Sequence, residues 1–256
     1  MGKFNDWLAT DPDIGSITPD TVATHLTSKD FVDRPAISLN RTKTALRMFF
    51  KFLTDAGYLE ANPARLIKNG RTEPKTPEYF KPAEARSFLA AISTNDGPVA
   101  RRDHLMFTLL LQTGIRLGGL VRLKVKGVRC AQRTLRVDGK GGIERSVYLP
   151  SKLRRVLKSY IAMMNLNADD ALFPSRNGGA LGRRQVQLRF HHWLKKAGIK
   201  RHLTVHSLRH TVAMNLYRES GDLRLVQTAL GHRHISTTEI YARVEDKTLR
   251  RALEKL

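Results

Sequence analysis

The sequence predicts a mainly helical protein with a small β-sheet, an α+β arrangement. A helical N-terminal part precedes a mixed helical and stranded C-terminal part. Three observations lead there. Apolar residues recur at helical spacing along much of the 256 residues. Two short β-rich runs flank a Gly-rich turn and read as a hairpin. A polar stretch with Gly70, Pro74 and Pro77 divides the chain.

In the N-terminal part, Thr18-Pro19 opens a helix over Asp20 to Leu26. A stronger helix runs from Ser38 to Gly57. Leu39, Thr42, Leu46, Phe49, Phe50 and Leu53 recur there at spacings near three and four. The stretch 71–77 reads as a linker, so residues 1–70 form one domain and 78–256 a second. In the second, residues 82–92, 102–113, 152–164, 182–197, 205–219 and 223–230 carry helical periodicity. Residues 133–137 and 145–149 read as strands around Gly139-Lys-Gly-Gly142. Gly198, Gly221 and Gly231 follow helix ends, where a left-handed residue is wanted. Ser236-Thr-Thr-Glu239 has capping-box spacing and opens a helix through Tyr241 to Val244. A final helix is expected over 247–256, with Leu249, Leu253 and Leu256 on one side.

Composition narrows the function. Hydrophobic residues make up 41% of the chain, enough for a core, which argues against wholesale disorder. The single Cys130 excludes a disulfide framework and a Cys-rich zinc fold. Apolar runs are short, as in Leu109-Leu110-Leu111, far from the roughly 18 residues of a membrane span. The opening MGKFNDWLATDPD lacks the apolar centre of a signal peptide. A cytoplasmic protein is expected. The net charge of +22 calls for a polyanion, and nucleic acid is the first candidate. The charge is uneven. Residues 1–33 hold two bases against six acids, residues 34–76 nine against three, and residues 77–256 thirty-four against fourteen. Arg41, Lys43, Arg47 and Lys51 lie mostly off the apolar stripe of their helix and are candidates for DNA contact.

Several segments carry groups able to do chemistry. Arg116 follows Gly114 at a helix junction, and its guanidinium fork suits phosphate oxygens. His206, Arg209 and His210 share one helical face. A His beside an Arg binds an anion and moves a proton near it. The same two His have zinc spacing, but the Glu of an HExxH site is missing and a cation lies between them. Packing with hydrogen bonding is the remaining alternative. His232 follows a helix-terminating Gly, and Lys140 sits on a Gly-flanked turn. Tyr241 carries a phenol, a weak nucleophile until a base or cations favour the phenolate.

Together these give the order Arg, Lys, His-x-x-Arg, His, Tyr. Here the sequence resembles the tyrosine recombinase (phage integrase) family, including its Xer-type members. The resemblance rests on TGIR, GKGGIERSVYLP, HSLRHT, LGH and TTEIYARV, in that order, and on RMFFKFLTDAGYLEANPARLI in the N-terminal part. It implies a helical core-binding domain followed by a catalytic domain. It also implies that Tyr241 is the nucleophile and that Arg116 and Arg209 clamp the scissile phosphate. Lys140 would be the general acid for the leaving 5′ oxygen, His206 the acid/base toward Tyr241, and His232 a donor to the phosphate. Two departures stand out. The family often has an acid three residues after the first Arg, where this chain has Gly119. Many members read GKGxKxR in the hairpin, where this chain has Ile143 in place of the second Lys.

The expected function is therefore site-specific DNA recombination through a 3′-phosphotyrosyl intermediate, with no metal, ATP or other cofactor. The expected partners are double-stranded DNA with inverted half-sites and further copies of the chain: a dimer on each site and a tetramer in synapsis, with the C-terminal helix docking on a neighbour. The expected location is the nucleoid. A type IB topoisomerase-like relaxing enzyme and a non-catalytic DNA-binding protein on this scaffold are the alternatives.

Overall fold

The computed structural model describes residues 13–72, 76–93, 97–138, 144–231 and 235–253, with side chains for all but 236 and 247–253. The chain divides into two compact units, Met1–Lys75 and Thr76–Leu256.

In the first unit, α1 (Pro19–Thr27) begins with a reciprocal cap. The Thr18 hydroxyl accepts from the Thr21 N–H, and the Thr21 side chain accepts from the Thr18 N–H. A single turn, α2 (Lys29–Val32), leads to α3 (Ala36–Asp55). The long helix starts two residues before the expected Ser38. Pro35, at φ −53°, is pre-set for a helix entrance. The helix ends at Asp55, and Gly57 at φ +79° turns the chain away. The expected apolar stripe faces inward: Leu46, Phe50 and Leu53 bury against Val22, Leu26 and Ala64, with Leu39 and Phe49 at the margin. Asn62 fixes the returning segment to the helix, donating to the Arg47 carbonyl at 3.0 Å and accepting from the Ala64 N–H at 2.8 Å.

The second unit is mixed. Its helices are α4 (Pro82–Ser93), α5 (Pro98–Thr113), the short α6 (Leu117–Leu120), α7 (Ser151–Met163), α8 (Arg183–Lys196), α9 (Val205–Ser220), α10 (Leu223–Leu230) and α11 (Glu239–Leu253). Between α6 and α7 lies an antiparallel sheet of β1 (Val128–Arg129), β2 (Thr134–Asp138) and β3 (Glu144–Tyr148), in that order. The expected hairpin is present, with Leu135 opposite Val147 and Val137 opposite Arg145. Strand β1 was not expected. Two residues are too few to show alternation, and β1 exists by pairing with β2.

Phe80, Phe88, Phe107 and Phe190 form a tilted and edge-to-face cluster with centroids 5.3–6.1 Å apart, joining α4, α5 and α8. A fully buried carboxylate pins α5 to α8. Asp103 accepts from Arg102 on its own helix, and from Arg189 Nε at 2.6 Å and Trp193 Nε1 at 2.8 Å. A buried carboxylate is tolerable only with such complete pairing.

Two boundary expectations are corrected. Helix α5 starts at Pro98 rather than Arg102, because Pro suits a first helical turn and Gly97 supplies φ +114° before it. At the C-terminus, a 3-10 turn (Ile235–Thr237) precedes one continuous helix, α11, instead of two. Nothing between Val244 and Lys247 breaks a helix: Glu245 and Asp246 permit it to continue. No helix among the described residues is long and apolar enough to cross a membrane.

Candidate active site

The site forms where the ends of α5 and α10 approach the middle of α9. Helix α5 stops at Gly114, φ +60°, where a Cβ would lie 2.6 Å from Leu230 Cδ2 and 3.3 Å from Val212. Only Gly permits both the left-handed turn and this closeness. The chain leaves the turn extended at Arg116, which caps α6.

Arg209, on α9, is 2% exposed. It donates to the Gly114 carbonyl at 2.5 Å and to the Leu230 carbonyl at 2.8 Å. Arg116, which is exposed, directs both Nη atoms at the Gly231 carbonyl, 3.4 Å away. A third guanidinium, Arg145 of β3, donates to the Ala229 carbonyl at 3.1 Å. Three consecutive carbonyls at the end of α10 thus receive one arginine each. Carbonyls in a last helical turn lack intrahelical donors and sit at the negative end of the helix dipole, so cations suit them.

Among the described residues, none of the three arginines forms an ion pair with a carboxylate. Burial, then Arg116, then Arg145 hold Arg209 below its ordinary value. Burial and Arg116 do the same to Arg145. Three crowded cations without an anion make a site that favours one. Gly119 explains the missing acid: a Cβ there would lie 2.7 Å from Val137 Cγ1, so the sheet occupies the space a side chain would need. Arg116 is supported by the Gly231 carbonyl instead.

Tyr241 lies on the first turn of α11 and is 1% exposed, packed with Val212, Met214, Val226, Leu230 and Val244. Its Oη is 2.9 Å from His210 Nδ1. Burial pushes the phenol up to about 12, against the opposing pull of Arg209 and Arg116. A neutral phenol donating to Nδ1 fits this balance. Helix α11 is also tied to α9 by Arg218 and Glu245, 3.1 Å apart.

His206 stands one turn before His210, their rings edge to face at 4.6 Å. Burial, Arg209 and Arg116 hold His206 below the usual imidazole value, which favours its neutral form. The structure therefore brings together Arg116, Arg209, Tyr241 and His206. It adds His210 and Arg145, which the sequence-based site assignment lacks. His210 was visible as the face-sharing neighbour of His206. Arg145 carried only one signal, its inclusion in the GKGGIERSVYLP hairpin. Lys140 and His232 lie outside the described residues. The described residues hold no cluster of His, Cys, Asp and Glu suited to a metal ion.

The four basic residues of α3 sit differently. Lys43 donates to the Lys68 carbonyl at 3.2 Å, and Arg47 to the Ile67 carbonyl at 2.6 Å and to Asn69. Lys51 pairs with Asp55, and Arg41 is exposed. Lys43 and Arg47 thus help hold the chain's return over α3.

A tyrosine beside an arginine cradle, on this helical scaffold, defines a class of DNA strand-transfer enzyme. The family model described as the phage integrase family matches residues 78–248, and the chain belongs to that family. Its relatives include Tyrosine recombinase XerC of Yersinia pestis, 37% identical over 212 residues, 82% of this chain and 69% of that one. The Serratia marcescens XerC is 37% identical over 210 residues, 81% of this chain and 69% of its own. Among solved structures, XerA recombinase matches 99% of this chain and 88% of its own at 26% identity and a TM-score of 0.60. XerH bound to palindromic difH substrate in a post-cleavage complex matches 93% and 72% at 24% identity and a TM-score of 0.77, a likeness of fold. The chain is an enzyme of the tyrosine recombinase class, a site-specific DNA recombinase. Neither the topoisomerase-like nor the non-catalytic alternative is favoured.

Proposed function

We propose that Tyr241 attacks a DNA phosphodiester held by Arg116 and Arg209. The Tyr241 Oη–P bond forms and the bond from phosphorus to the 5′ oxygen breaks, leaving the protein on the 3′ phosphate. A 5′ hydroxyl from a second strand then reverses the step. The phosphotyrosyl ester conserves the bond, so the exchange needs no ATP. Charge growing on the equatorial oxygens meets preorganised guanidiniums, which take the part a metal plays elsewhere. Neutral His206 accepts the phenolic proton, and His210 orients the hydroxyl until the phosphate arrives. Lys140 protonates the leaving 5′ oxygen and His232 donates to the phosphate; both assignments rest on the family motif.

The observation that carries this proposal is the convergence of three arginines, with no carboxylate partner among the described residues, on the surroundings of a buried tyrosine. The first unit acts as the core-binding domain, with Arg41 the best placed of the α3 bases to meet phosphate. The DNA is duplex with inverted half-sites, bound by a dimer that pairs into a tetramer. The end of α11 docks on a neighbouring copy, and the enzyme works in the cytoplasm at the nucleoid. Solved relatives support assembly on DNA: the lambda integrase structures include a dimer bound to a COC′ core site and a tetramer bound to a Holliday junction.

The test is capture of covalent complexes from a library of nicked duplexes, followed by sequencing of the attached DNA. The expected result is a recurrent sequence with the wild type and no adduct with Tyr241→Phe. Adducts that persist in Tyr241→Phe, or an absence of any adduct, would overturn the proposal.

A further inference from the structure

We propose that Arg145 is a positioning residue of the strand-cleaving site: it fixes the end of α10, whose carbonyls receive Arg116 and Arg209. The inference rests on the reaction proposed above and extends it to a residue outside the six-residue motif.

The support is geometric. Arg116 points at the Gly231 carbonyl, and Arg209 at the carbonyls of Leu230 and, at the end of α5, Gly114. Their direction therefore depends in part on where the last turn of α10 lies. The Arg116 contacts are long, at 3.4 Å, so this support is only as firm as the turn that carries Gly231. Arg145 grips the same turn from the sheet side, donating to the Ala229 carbonyl at 3.1 Å. It also packs close against Gly231. A Cβ on that residue would meet Arg145 Nη1 at 2.6 Å and its Cδ and Cζ at 3.1 Å, and Gly231 holds φ +65°. Gly is thus required there twice over.

The sheet links this contact to the other arginine. Arg145 faces Val137 in the β2–β3 ladder, and Val137 fills the space over Gly119, three residues after Arg116. One pair of strands therefore braces both the α10 end and the α6 turn. This also gives a reason for a third cation in a crowded site. Arg145 lowers the proton affinity of Arg209, an unfavourable repulsion, yet its hydrogen bond locks the common support. A shift of about 1 Å in groups aimed at a reacting phosphate costs on the order of 100-fold in rate.

The experiment measures single-turnover adduct formation at saturating DNA, on a nicked duplex recovered by library capture. It compares wild type with Arg145→Ala, Arg145→Met and Arg145→Lys. Arg145→Ala and Arg145→Met should slow the step by roughly 100-fold, with duplex affinity within about twofold of wild type. Arg145→Lys, which keeps a donor, should restore most of the rate. A rate within about twofold of wild type in Arg145→Met overturns the proposal, as does a loss expressed wholly as weaker duplex binding. A second readout needs no DNA: the Nε–Hε resonances of Arg116 and Arg209 by nuclear magnetic resonance. They should shift and broaden in Arg145→Met and return in Arg145→Lys; unchanged resonances overturn the proposal. Should the wild type form no adduct with any duplex, the reaction proposal falls, and these resonances still decide the role of Arg145. Should Arg145→Ala fail to fold, the Met and Lys variants supply both readouts.

Discussion

Replacing His210 by Phe isolates the contact that holds the candidate nucleophile. Phe keeps a ring in place, so the edge contact to His206 at 4.6 Å and the tilted contact to Tyr241 at 5.8 Å survive without a cavity. What is lost is the acceptor for the Tyr241 hydroxyl, 2.9 Å away and deep in a residue only 1% exposed. A buried hydroxyl left without a partner costs about 1–3 kcal/mol. Tyr241→Phe removes the other half, and its cost should be smaller, about 1 kcal/mol, because half-buried His210 can turn to water. Each single change also disturbs other contacts of that residue, so the pair term comes from a double-mutant cycle. The double variant should be little worse than His210→Phe alone, with a coupling of about 1 kcal/mol or more. Urea unfolding of the four proteins, with equal m-values, gives the number. A coupling under about 0.3 kcal/mol, the scatter of independent sites, would refute the claim that His210 holds the phenol.

Other expectations follow from the same geometry. Sulfate should stabilise the DNA-free protein, because the three guanidiniums have no carboxylate partner among the described residues. With a dissociation constant on the order of 1 mM, 10 mM sulfate contributes about 1.4 kcal/mol, or a Tm rise of about 3–6 °C. Chloride at equal ionic strength, or the Arg116→Ala variant with sulfate, should give little of that rise. Burial pushes Tyr241 and Tyr160 up to about 12, above the ordinary tyrosine value of about 10. The unfolded chain therefore gives up these protons first, and stability present below pH 10 is lost as pH rises through 12. Tyr241→Phe should flatten that limb only in part, since Tyr160 remains; an unchanged alkaline unfolding profile contradicts the burial argument. The His206 imidazole should titrate below its ordinary value, and Arg116→Gln should move it upward by removing a neighbouring cation. Proton resonances of the ring report both, and a downward move would reverse the assigned cause.

Much of this architecture was legible because local chemistry and tertiary need coincide. The stripe from Leu39 to Leu53 has one period and buries one face, so α3 was readable to within two residues. The hairpin strands were readable for the same reason, since Leu135, Val137 and Val147 alternate toward the core. Strand β1 was not, because Val128 and Arg129 are a strand only through their partners Leu135 and Thr134. The break expected near residue 245 failed because Glu245 and Asp246 are compatible with helix, and Arg218 draws Glu245 into the continuous α11.

At the site, spacing found what lies on one helix face, as with His206, Arg209 and His210. It could not rank the two imidazoles by distance to Tyr241, which depends on how α11 packs against α9. Arg145 was still harder to see. Its importance comes from three carbonyls of another element, at residues 229–231, and backbone acceptors leave no mark in a side-chain pattern. The basic residues of α3 carry a second duty that spacing does not show: Lys43 and Arg47 each spend a donor on the chain's return over the helix.

The most direct measurement is the site of attachment itself. Duplex captured on the protein is digested to a short nucleotide remnant, the protein is cleaved, and the modified peptide is sequenced by mass spectrometry. A 3′-phosphonucleotide on the phenolic oxygen of Tyr241 is the predicted result. Attachment through any other tyrosine, or through a serine, histidine or lysine, would contradict the assignment of this phenol to the arginine cradle.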